Sequence, residues 1–304
     1  MKYYFLLLLF FGATGVTIAQ ERFKDSIFSA IEMKTYQYAE KDATVLEFDF
    51  YNAPADTLSK KPLFVFVHGG GFSSGKRNHP EIMKLAKIVA SRGYAVASVS
   101  YRLTRKGKKF GCNCPSEEKI NAFKACGEDI MDAVLYMINQ PEVFKIDPQK
   151  IILTGSSAGA EGILNIAYNK DLLFKEQPKY QALRPAAVIS LAGAILDKRY
   201  ITKNNAIPGI FFHGTKDPLV PYNSAAHHYC KEDKVGYLML DGSAAIVSKL
   251  EELKKSYLFY SIIGANHDVF KIPFKQLGEI FNFMNKVVIK QQFQQARIAV
   301  KRAK

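Results

Sequence analysis

The stretch from Lys150 to Tyr168 constrains the fold more than any other. Ile151-Ile152-Leu153-Thr154 is short, apolar and β-branched, as a strand buried on both faces is. It runs straight into Gly155-Ser156-Ser157-Ala158-Gly159 and then into a helical segment, Ala160 to Tyr168. A chain that goes from buried strand to helix in five residues must turn sharply. Small residues on both sides let the turn close, and the central Ser157 is thrust outward with its hydroxyl exposed.

The same strand-then-helix order recurs around this turn. Strand-length runs occur at Thr44 to Tyr51, Leu63 to Val67, Tyr94 to Ser100, Ala187 to Leu191, Gly209 to Phe212 and Tyr257 to Ile263. Helical spacing occurs at Pro80 to Ala90, Glu117 to Asn139, Ile246 to Leu253 and Ile272 to Val288. The alternation predicts an α/β fold with a mostly parallel central sheet and helices on both faces. Sites in such folds form at the carboxyl ends of the strands. With 48% hydrophobic residues, the chain has ample material for a core, which excludes a disordered protein. No repeat or Pro/Ser-rich linker divides it, so one catalytic domain is expected over residues 20–290, followed by a basic C-terminal tail, 291–304.

Residues 1–19 have the order of a secretory signal peptide: Lys2, an apolar run from Phe5 to Phe11, then small residues up to Ala19. The polar and glycine interruptions after Phe11 argue against a stable membrane anchor. A secreted or periplasmic protein, cleaved near Ala19, is the expectation. In such a compartment the four cysteines, Cys112, Cys114, Cys126 and Cys230, are expected to be oxidised. Pairing of Cys112 with Cys114 is disfavoured by their separation, so Cys126 and Cys230 are each expected to join one of those two.

Lys+Arg 42 against Asp+Glu 28 gives a net charge of +14. On its own this raises nucleic acid as a partner. The excess, however, gathers in Arg102 to Lys109 and after Glu279, where no acid follows. Solvated surface is the simpler reading, and no nucleic-acid partner is expected.

Ser157 needs a base, since a hydroxyl is a poor nucleophile at neutral pH. His267, in Gly264-Ala265-Asn266-His267-Asp268, follows the strand Tyr257 to Ile263 and is the candidate base. Asp217, in His213-Gly214-Thr215-Lys216-Asp217-Pro218, follows the strand Gly209 to Phe212 and is the candidate acid that orients the imidazole. Asp268 adjoins the base but is the less suitable partner. His227 and His228 read as part of a helix one turn after the acid loop. His68-Gly69-Gly70-Gly71-Phe72 closes the strand Leu63 to Val67. Consecutive glycines let backbone N–H groups approach a developing oxyanion, so Gly70, Gly71 and Ala158 are the candidate donors. A phosphate cradle is the competing reading of three glycines, but no Lys-Ser/Thr pair follows them. No cofactor or metal is called for.

Together HGGGF, GSSAG, HGTKDPLVP and GANHD resemble the α/β-hydrolase superfamily, in its HGGG-type esterase/lipase branch. The resemblance covers most of the chain after the leader. It implies hydrolysis of carboxylic esters, with Ser157 as nucleophile, Asp217 as acid, His267 as base and Gly70, Gly71 and Ala158 as oxyanion donors. Phe72 replaces the Trp or Tyr of many relatives, and the Cys-containing insert 104–126 has no counterpart in the general pattern. The short connection from Leu196 to Ile207 leaves little for a lid, which favours a small-molecule or polysaccharide-borne ester substrate. An amidase or serine peptidase of the same fold, or a non-catalytic binding module, are the alternatives.

Overall fold

Side-chain alternation along one strand organises the molecule, whose computed structural model describes residues 20–302. The expected leader lies outside the described residues. Leu63, Val65 and Val67 enter one hydrophobic core and Phe64 and Phe66 another, because successive strand residues face opposite ways. Both faces therefore need a covering layer.

The strands are β1 (Glu32–Lys41), β2 (Thr44–Asn52), β3 (Lys61–Val67), β4 (Ala95–Val99), β5 (Ile146–Ser156), β6 (Ala187–Leu191), β7 (Ala194–Ile195), β8 (Gly209–Gly214), β9 (Ser224–Ala226), β10 (Met239–Gly242), β11 (Tyr257–Ile263) and β12 (Gln295–Lys301). Nine form the central sheet in the order β1-β2-β4-β3-β5-β6-β8-β11-β12. β2 pairs antiparallel with β1 and β4, and every other neighbouring pair is parallel. β7, β10 and β9 make a small second sheet.

The helices are α1 (Pro80–Ala90), α2 (Ser116–Ile138), α3 (Pro141–Phe144), α4 (Ala158–Tyr168), α5 (Lys170–Leu173), α6 (Ser243–Glu252) and α7 (Leu277–Met284). α1 and α7 cover the Phe64 and Phe66 face through Ile82, Leu85, Ile280 and Phe281. α2, α4 and α6 cover the other through Phe123, Ile130, Leu164 and Ile246. No helix among the described residues is long and apolar enough to cross a membrane.

Three expectations change. Residues 295–301 are not a tail but β12, paired in parallel with β11 from Tyr257–Gln295 to Ile263–Lys301. Ala296 and Ile298 pack on the core while Arg297 reaches Glu251 at 2.7 Å, so the basic residues mask a two-residue alternation. Charged side chains on an edge strand also discourage pairing with another chain. The long helix expected from Ile272 shrinks to α7, because Pro273 cannot sit inside a helix and the chain leaves α geometry again at Asn285–Ile289.

The third concerns the cysteines. Cys112 is bonded to Cys230, while Cys114 and Cys126 are free and buried. Cys126 lies ten residues into α2 from Ser116, about 15 Å along the axis, whereas a disulfide needs Cα atoms within about 7 Å. Its sulfur instead faces the backbone of Gly162 on α4.

Candidate active site

Ser157 stands where β5 passes into α4, with φ 50° and ψ −119°. That backbone region costs a non-glycine residue about 1–3 kcal/mol. Tight packing holds it there. The Ser157 N–H donates to the Leu191 carbonyl at 2.8 Å. A Cβ on Gly155 would lie 2.4 Å from the Gly159 carbonyl oxygen, and one on Gly159 would lie 2.4 Å from that of Val67. The two glycines thus let β5, α4 and the end of β3 touch.

The structure brings the three separated side chains together. Ser157 Oγ is 2.8 Å from His267 Nε2, and His267 Nδ1 is 2.7 Å from Asp217 Oδ2. His267 begins a single turn after β11, and Asp217 lies in the loop after β8. Asp217 Oδ1 accepts from the N–H groups of Leu219 and Val220 at 2.9 and 3.0 Å. Burial opposes its negative charge, but hydrogen bonds from His213 and His267 outweigh that and hold the carboxyl well below the usual carboxylate range. An ionised Asp217 fixes the proton on His267 Nδ1 and leaves Nε2 to accept from Ser157.

The glycine loop lies against the serine. A Cβ on Gly69 would come 3.1 Å from that of Ser157. Gly70, Gly71 and Phe72 follow with φ of 118°, 58° and 57°, and the N–H groups of Ser73 and Ser74 close the turn onto the Gly70 carbonyl. The N–H groups of Gly70 and Gly71 have no hydrogen-bond partner among the described residues. Phe72 itself is buried, edge-on to Phe110 and Phe123. Its ring anchors the loop from beneath.

The remaining candidates take other roles. Asp268 turns away to Arg302, 3.0 Å distant. His213 bonds Ser243 Oγ at 2.8 Å and the Val220 carbonyl at 3.2 Å, and His68 stacks on Tyr101. His227 and His228 are not on a regular helix but on a single tight turn, broken by His228 at φ 56°. Both face the cavity.

That cavity, about 480 Å³, opens at Ser157. One wall is Phe110 from the insert with His227 and His228, and Leu219 and Phe270 form its partly exposed lips. The Cys112–Cys230 bond ties the insert to the histidine turn. Glu161 also lines the cavity, although it is almost wholly buried. Burial, with the nearby charge of Asp217 and against that of Lys119, pushes its carboxyl up to about 8. Burial pushes His228 down to about 4 and His227 well below the ordinary range. Sequence reasoning passed over Glu161. Its signal was an acid four residues after Ser157, the one charged residue of a mostly apolar helix, since residues four apart share a helix face.

The family described as BD-FAE matches residues 48–195. No curated protein matches the chain. Among solved structures, the native form of esterase Est2 from Thermogutta terrifontis is 19% identical, with a TM-score of 0.62 over 84% of this chain and 92% of that one. Est2 phosphorylated by paraoxon is 19% identical, at 0.61 over 84% and 94%. Butyrate-bound Est2 is 18% identical, at 0.62 over 86% and 95%.

Proposed function

We propose that the chain is an esterase of the α/β-hydrolase superfamily, in its HGGG-type branch, and that it hydrolyses small carboxylic esters through an acyl-enzyme on Ser157. The observation that carries this is the continuous relay from Ser157 Oγ through His267 to Asp217, at 2.8 and 2.7 Å. His267 Nε2 takes the hydroxyl proton as Ser157 attacks the ester carbonyl. The oxyanion that forms is met by the N–H groups of Gly70, Gly71 and Ala158. The imidazolium, held by Asp217, returns its proton to the departing alkoxide, and the alcohol leaves. Water then repeats the sequence on the acyl-enzyme, with His267 again as base.

The cavity has ample room for short acyl groups, and Est2 has been captured with butyrate and with propionate. The apolar lips, Leu219 and Phe270, suit an aromatic acyl ring or the face of a sugar bearing the ester. Export, which would bring the enzyme to polysaccharide-borne esters, is supported by the leader-like residues 1–19 and by the Cys112–Cys230 disulfide.

The test is turnover of p-nitrophenyl acetate, butyrate and longer esters, beside acetylated and feruloylated oligosaccharides, by wild type and Ser157→Ala. Hydrolysis by wild type alone is expected, with a fluorophosphonate adduct on Ser157. Equal rates from the two proteins, or an adduct elsewhere, would refute the assignment.

A further inference from the structure

We propose that Glu161 and His227 form a polar subsite of the ester pocket that selects substrates carrying an uncharged hydroxyl near the scissile bond. This deepens the esterase reading and rests on it.

Both side chains line the cavity, and both are almost completely buried, with 2% and 1% of their surface exposed. Buried polar atoms nearly always have hydrogen-bond partners. These two break that rule together. Glu161 Oε1 and His227 Nδ1 have no hydrogen-bond partner among the described residues, although the two groups are neighbours, 3.4 Å from Oε1 to Nε2. Their surroundings do not supply one. Phe110 and Phe123 meet the His227 ring edge-on, and Lys119 Nζ is committed to the Gly236 carbonyl at 2.6 Å.

The placement links the pair to the reaction. The Glu161 N–H donates to the Ser157 carbonyl at 2.9 Å, so the carboxyl is one helical turn from the serine. His227 comes from a separate segment, beyond the acid loop. A bound substrate displaces solvent from the pocket. If it is a plain hydrocarbon it strands a carboxyl and an imidazole in an apolar wall, at full desolvation cost. A hydroxyl, which both donates and accepts, can serve the two groups at once. Sites built to bond a substrate hydroxyl reject the analogue lacking it far more strongly than apolar pockets reject an extra methylene. A charged group is the wrong ligand, because it would have to be desolvated against this buried, largely apolar wall.

The hydroxyl could belong to the acyl or the alcohol half of the ester, so the experiment has two arms. The first compares p-nitrophenyl 3-hydroxybutyrate with p-nitrophenyl butyrate. The second compares glyceryl monoacetate with propyl acetate. In one arm wild type should favour the hydroxylated ester by about tenfold or more in kcat/KM. That ratio should fall to near one in Glu161→Leu and in His227→Phe. Glu161→Gln, which keeps the shape and a hydrogen-bonding group, should retain part of it. Fluorophosphonate labelling of Ser157 reports that each variant is folded. A wild-type ratio near one in both arms, or a ratio that survives in the folded Leu and Phe variants, overturns the subsite. If wild type hydrolyses none of the four esters and Ser157 takes no label, the esterase reading itself fails and the subsite with it.

Discussion

Arg302, just past the end of β12, pairs with Asp268 at 3.0 Å, one residue after the candidate base. Asp268 is thereby turned away from the imidazole, and Asp217 alone meets His267 Nδ1. Both partners are about half exposed, so the pair acts as a brace on the base loop and adds little to stability. Arg302→Ala should lower kcat on p-nitrophenyl acetate by no more than about threefold, a loss below about 1 kcal/mol. A hundredfold fall would show that Asp268 interferes once released.

Asp217 should matter far more. Asp217→Asn keeps the shape but cannot hold His267 in the required tautomer, and kcat should fall by about 10⁴. Asp268→Asn should leave most activity. Steady-state rates on one activated ester compare the two, and the reverse order would reassign the acid.

The Gly159 position tests the packing behind the strained serine. A Cβ there would lie 2.4 Å from the Val67 oxygen and 2.6 Å from that of His68, both backbone atoms that cannot swing aside. Gly159→Ala should cost about 2–4 kcal/mol of stability. It should also reduce fluorophosphonate labelling of whatever protein remains folded. Urea melts alongside labelling rates would check both effects.

The disulfide closes a long loop, with 118 residues of sequence separation between Cys112 and Cys230. By chain entropy such a cross-link contributes about 5 kcal/mol. Reduction, or Cys112→Ser, should therefore lower Tm by roughly 8 °C or more. Because the bond ties the Phe110 wall to His227 and His228, KM should also rise more than kcat changes. Calorimetry and steady-state kinetics, with and without reductant, are the measurements.

Glu161 gives stability a slope with pH. Its carboxyl ordinarily titrates near 4.5, whereas burial in the fold raises it to about 8. Between those values the unfolded chain binds fewer protons than the native one, so stability falls as pH rises through the window. Asp217 works oppositely: its contribution is present above the ordinary carboxylate range and is lost as pH falls toward its depressed value. Glu161→Gln should remove the alkaline loss, so its Tm relative to wild type should be higher at pH 9 than at pH 6. An unchanged difference would refute the buried carboxyl's titration.

Much of the scaffold is legible from local pattern alone. Strand β6, strand β11 and helix α1 carry uninterrupted periodicity, and their expected bounds coincide with those observed. The turn at Ser157 is legible too, because small residues between a buried strand and a helix leave the backbone one way to pass. β12 was hidden because its alternation is diluted by lysine and arginine, and a strand on a sheet edge needs little apolar content. Cys126 misled because cysteine spacing carries no information on whether a helix holds two sulfurs apart.

Residue identity and order thus mark the candidates for the chemistry: a serine at a sharp turn, a late histidine, an acid between them and a glycine-rich loop. Their meeting is a tertiary fact. Ser157 and His267 are 110 residues apart, and they touch only because parallel strands deliver their loops to one edge of the sheet. The pocket around them is more tertiary still. Phe110, Glu161 and His227 come from an insert, a helix and a turn that share no local pattern, so their juxtaposition follows from packing that no local stretch of sequence encodes.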